Sequence, residues 1–82
     1  MRLCELKAGE KAIVCALLSD GSMRRRLMDI GLVAGTEVTC VGRSPSGDPA
    51  AYAIRGAVIA IRDRDSAEVM IEPQERSTPP WG

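Results

Sequence analysis

Eighty-two residues with 45% apolar side chains make one small domain with little margin for a core. Eleven basic residues balance eleven acidic ones, so the chain lacks the cationic excess of a dedicated nucleic-acid binder. There is no histidine, and Tyr52 and Trp81 are the only aromatics, which excludes histidine-based catalytic triads and an aromatic platform for single strands.

Residues 1–9 carry Leu3 and Leu6 as apolar anchors among charges and end in a turn at Ala8-Gly9. Lys11 to Leu17 then reads as a strand. Ala12, Val14 and Ala16 fall on one face, Ile13, Cys15 and Leu17 on the other. Both faces are apolar, as expected of a strand that closes a small barrel and is covered from outside. Ser19-Asp20-Gly21-Ser22 is a turn, with Asp20 or Ser22 placed to cap a helix from Met23 to Ile30. Met23, Leu27 and Ile30 make its inward stripe. Arg24, Arg25 and Asp29 face outward, with Arg25 and Asp29 spaced as an i,i+4 pair. Arginines this near a helix start oppose its dipole, a hint that Arg24, Arg25 and Arg26 have another use.

Gly31 fits the left-handed position that follows a helix, with Leu32 folding back on the last turn. Gly35 then opens a second strand, Thr36 to Arg43, in which Val38 and Cys40 oppose Val41. Pro45, Gly47 and Pro49 make the stretch from Ser44 to Pro49 a loop, because such residues cannot continue a ladder. A third strand, Ala51 to Arg55, breaks at Gly56. A fourth runs from Ala57 to Arg62, with Ile59 and Ile61 opposed to Val58. Asp63 to Ser66 is a polar turn or a single helical turn. The last strand, Ala67 to Glu72, points Ala67, Val69 and Ile71 inward and stops at Pro73. Five short strands with one helix after the first predict a mainly β domain over residues 1–73, a small, partly open barrel. Residues 74–82 form a tail without periodicity, closing in Pro79-Pro80-Trp81-Gly82. It reads as flexible, or as a segment that docks Trp81 on a neighbour.

The chemistry-bearing residues are few. Cys4, Cys15 and Cys40 form no C-x-x-C pair and follow no signal peptide, so they read as reduced thiols of a cytoplasmic protein, with Cys15 and Cys40 in the core. No Walker glycine loop occurs, and Asp63 and Asp65 are bracketed by Arg62 and Arg64, an arrangement for surface ion pairs. Catalysis, a cofactor and an intrinsic metal site are therefore not expected. Apolar runs such as Ala57 to Ile61 are too short to span a bilayer, so a membrane is reached only through a partner. The arginine triplet reads either as a solvated face or as a docking patch for an acidic surface.

The opening Leu3-x-x-Leu6-x-x-Gly9-Glu10, the run Arg26-Leu27-Met28-Asp29-Ile30-Gly31-Leu32 with Gly35 and Val38, the loop Pro45-x-Gly47-Asp48-Pro49, Gly56, and Ala60-Ile61-Arg62 with Ala67 and Val69 stand in this order and at this spacing along the chain. In these residues, spread from about Leu3 to Pro73, the chain resembles the FeoA family of small cytoplasmic proteins associated with bacterial ferrous iron uptake. The resemblance implies an SH3-like barrel and a non-enzymatic role beside FeoB, a membrane permease with a cytoplasmic GTPase domain. Arg24, Arg25 and Arg26 on the helix, with Pro45, Gly47, Asp48 and Pro49 in the loop, are then the expected contact residues. Leu27, Ile30, Gly31, Leu32, Gly35 and Gly56 are expected to be structural. The alternative is a carrier or sensor of ferrous or other transition-metal ions, or an SH3-like module of the kind found in iron-dependent repressors. Open strand edges also allow a homo-oligomer.

Overall fold

The structure, a computed structural model, describes residues 1–74; the Pro79-Pro80-Trp81 segment lies outside the described residues. The chain begins with a 3-10 turn (Leu3–Glu5) and enters β1 (Lys11–Leu17), followed by α1 (Gly21–Asp29). It continues through β2 (Glu37–Arg43), β3 (Ala50–Ile54), β4 (Ala57–Ile61), a short α2 (Asp63–Ser66) and β5 (Val69–Pro73). The strands form one antiparallel sheet in the order β4-β3-β2-β1-β5, curled but not closed. The core is aliphatic with one ring: Leu3, Leu6, Val14, Leu32, Val38, Ile54 and Val69 are buried around Tyr52. Leu27 joins them from α1, while Met23 and Ile30 pack half-buried at its rim.

The corner after α1 is a Schellman motif. The Leu32 amide donates to the Leu27 carbonyl at 3.0 Å and the Gly31 amide to the Met28 carbonyl at 3.0 Å. Gly31 has φ 104° at this turn. The β3–β4 hairpin turns on Arg55 and Gly56, with φ 51° and 82°, the two positive values that a type I′ turn requires. At the start of α1, Asp20 occupies the cap position with an extended backbone, yet its side chain makes no cap bond.

Two bulges alter the alternation expected from the sequence. Val14 pairs with Ile71 and Ala16 with Met70, so Cys15 is the extra residue in β1. Past it the inward parity changes: Ala16 is exposed, and Leu17 packs on the core opposite buried Val69. Cys15 is therefore exposed and only Cys40 is a core thiol, a correction to the expectation that both are buried. In β2, Val41 is the extra residue between the pairs Cys40–Tyr52 and Gly42–Ala51. Arg43 consequently pairs with buried Ala50 and shares its face of the sheet.

Candidate protein-docking surface

Because β2 ends on the inner side of the sheet, the Arg43 side chain turns back over the open mouth of the barrel. Nη2 donates to the carbonyls of Cys4 and Leu6, the latter at 3.0 Å. Nη1 donates to the Gly47 carbonyl at 3.1 Å and meets the Asp63 carboxylate at 3.3 Å. One guanidinium thus joins the N-terminal turn, β2, the following loop and α2. Partial desolvation opposes its charge, but nearby Tyr52 and Asp63 outweigh that and hold its pKa above the ordinary guanidinium value. Under it, the Tyr52 hydroxyl donates to the Leu3 carbonyl at 3.3 Å. Burial pushes the Tyr52 phenol up, against the opposing influence of Ser66 and Arg43.

The loop from Ser44 to Pro49 is tied at several points. The Ser44 amide donates to the Pro49 carbonyl at 3.1 Å, and the Gly47 amide returns to the Ser44 carbonyl at 2.7 Å. Ser46 Oγ donates to the Asp48 carbonyl at 2.9 Å. Asp48 Oδ1 accepts the amide of Asp63, the first residue of α2, at 3.0 Å. Asp48 is thus a capping residue in trans, and Pro45 and Pro49 stand exposed beside it. The Asp48–Pro49 peptide is cis.

On the other side of α2 lies α1. Arg24, Arg25 and Arg26 are all exposed, and the expected Arg25–Asp29 pair does not close. Arg24 Nη1 reaches the Leu17 carbonyl at 3.5 Å, a marginal contact. An open groove of about 520 Å³ separates the two helices, with Met23 and Arg26 on one wall and Arg64, Asp65 and Glu68 on the other. Leu18 borders it with half its surface exposed. The two predicted contact elements therefore flank α2, the loop bound to its first residue and α1 facing it across the groove. Asp63 pairs with Arg43 and not with Arg62 or Arg64, which remain exposed. Sequence reasoning missed Arg43 altogether. The one signal was an arginine at the end of a strand whose preceding residues, Cys40, Val41 and Gly42, carry no charge.

Among the described residues no three Cys, Asp or Glu side chains converge in a way that could hold a metal ion. Tyr52 is fully buried, so it offers no aromatic surface for a proline-rich ligand. No helix among the described residues is long and apolar enough to cross a membrane.

The FeoA domain model matches residues 1–73. The chain belongs to the FeoA family. FeoA proteins are involved in ferrous iron transport. A relative from Porphyromonas gingivalis, a fusion of Fe(2+) transport protein A with the Fe(2+) transporter FeoB, is 33% identical over 72 residues. The match covers 88% of this chain and 8% of that much longer protein. The FeoA-like protein of Clostridium acetobutylicum superposes with a TM-score of 0.86 at 29% identity, covering 96% of this chain and 92% of the other. The zinc-complexed FeoA of Stenotrophomonas maltophilia, described as a prokaryotic SH3-domain protein, gives 0.78 at 28% identity, with 88% and 89% covered. The mainly β architecture with one short helix after the first strand, read from the sequence, is thus the SH3-like fold of FeoA.

Proposed function

We propose that this FeoA protein is a cytoplasmic accessory factor that regulates ferrous iron uptake by binding the cytoplasmic GTPase domain of FeoB. The observation that carries the reading is the Porphyromonas gingivalis relative, in which a segment like this chain and the transporter are one polypeptide. A covalent link of that kind favours two parts that work side by side. The contact residues on this reading are Arg24, Arg25 and Arg26, together with Pro45, Gly47, Asp48 and Pro49. Three adjacent exposed arginines on a short helix suit an acidic partner surface, and rim charges of this sort act mainly on the association rate. The tied loop suits binding as well, since a loop held in one shape loses little entropy on contact.

The test is a binding measurement between the purified chain and the cytoplasmic domain of FeoB. Replacing Arg24, Arg25 and Arg26 together by glutamate is expected to weaken binding by about 10-fold or more, mostly through a slower association rate at low salt. The three side chains are exposed, so the fold is expected to survive. Undiminished binding of the triple variant would reject the helix assignment, and no binding of the native chain would reject the reading itself.

A further inference from the structure

The two edges of the sheet are treated differently. At β5, the Ile71 amide donates to the Met1 carbonyl at 2.8 Å, Arg2 bridges Met70, and the strand ends in Glu72 and Pro73. Backbone pairing, a charge and a proline all guard that edge. At β4 none of these devices is present among the described residues. Its sequence, Ala-Val-Ile-Ala-Ile, has no charge and no proline, and among the described residues it pairs with β3 alone. Val58 is 65% exposed, the most open of the large apolar side chains among the described residues.

The register says which backbone groups are free. In a two-residue hairpin the residues flanking the turn exchange both backbone bonds, here Ile54 and Ala57. Bonding alternates from there, so Ile59 and Ile61 point their amides and carbonyls at β3. Val58 and Ala60 point theirs away, and no backbone partner meets them among the described residues.

We infer that β4 is a self-association edge and that its occupant is a second copy of β4, paired antiparallel about a two-fold axis at Ile59. Only this register satisfies all four free groups on each edge. Val58 of one copy lies opposite Ala60 of the other, and Ala60 opposite Val58, so each pair closes two bonds. Ile59 meets its own counterpart on the inner side, while Val58 and Ala60 of both copies form one apolar cluster outside. The pattern is self-complementary, as an isologous interface requires. A single five-residue edge buries far less than the roughly 1,200–2,000 Å² of stable complexes. The dimer is accordingly weak, with a dissociation constant of roughly 0.1–1 mM.

Sedimentation equilibrium of the full chain between about 20 µM and about 1 mM tests this directly, alongside amide shifts followed by NMR. The apparent mass is expected to rise from 8.8 kDa toward twice that value, with shifts centred on Val58 and Ala60. Ala60→Pro removes an amide that bonds nothing in the monomer and is expected to abolish the rise. Val58→Lys places a charge on the edge and provides an independent arm should the proline variant fail to fold. A native chain that stays at 8.8 kDa, association that shifts α1 rather than β4, or a folded variant that still dimerises would each overturn the inference.

Discussion

The guanidinium of Arg43 and the carboxylate of Asp63 meet at 3.3 Å where β2 and α2 approach, with 28% and 44% of the two side chains exposed. The ion pair is the lesser part of what Arg43 does. An exposed pair of this kind is worth about 1 kcal/mol or less. The carbonyls of Cys4, Leu6 and Gly47 depend on the same guanidinium for their donors. Arg43→Ala is expected to cost about 1–3 kcal/mol, Arg43→Lys somewhat less, and Asp63→Asn about 0.5 kcal/mol. Urea denaturation of the three variants measures the order. Equal losses for Arg43→Ala and Asp63→Asn would assign the effect to the ion pair instead.

Gly31 and Gly35 have similar backbone angles, φ 104° and 92°, but different surroundings. A Cβ at Gly31 would lie 3.0 Å from Ile54 Cγ2 and 3.1 Å from Arg55 Cδ, whereas one at Gly35 meets nothing within 4 Å. Gly35→Ala therefore carries only the backbone cost of about 1–2 kcal/mol. Gly31→Ala adds a displacement of Ile54 in the core and is expected to be worse by about another 1 kcal/mol. Thermal or urea unfolding distinguishes them, and equal losses would mean that the hairpin yields freely.

The Tyr52 phenol, raised by burial from its ordinary 10.0, gives the protein an alkaline limit. The folded state holds that proton more tightly than the unfolded chain does. Its stabilising contribution is present in full below about pH 10 and is lost as pH rises through the folded value. Tyr52→Phe is expected to flatten the loss of stability as pH rises above about 10, at the expense of the bond to the Leu3 carbonyl. Urea midpoints of both proteins across that range decide the matter, and identical slopes would remove Tyr52 from the account.

The three thiols are expected to react at separate rates. Cys15 on the β1 bulge is exposed, Cys4 is half-buried and Cys40 is buried. A thiol reagent added to the native protein is expected to modify Cys15 first, and Cys40 at least about 100-fold more slowly because it waits for opening of the sheet. Peptide mass mapping of a time course identifies the order.

Strand positions were legible wherever alternation ran uninterrupted, as at Ile59 and Ile61 in β4 or Val69 and Ile71 in β5. The corner at Gly31 was legible too, because a helix end needs a positive φ that few residues adopt. The bulges at Cys15 and Val41 were not. A bulge is a property of the register between two strands, and the sequence of one strand carries no mark of it. From those two residues came the remaining surprises: the exposed thiol, the outward Ala16 and the inward turn of Arg43. The Arg43 contacts with Cys4 and Leu6 span 39 and 37 positions along the chain, beyond any local pattern. Of the contact residues expected from the sequence, the loop reaches α2 through Asp48 and the Asp63 amide, a contact 15 positions apart in the chain, while α1 faces α2 across the groove.

The Met1 carbonyl bonded to Ile71 and the Gln74 amide bonded to the Lys11 carbonyl at 3.0 Å put residues 1 and 74 on the same rim, across the sheet from β4. Removing Met1 would therefore strip a backbone partner from β5 and leave that edge open to the same strand addition as β4.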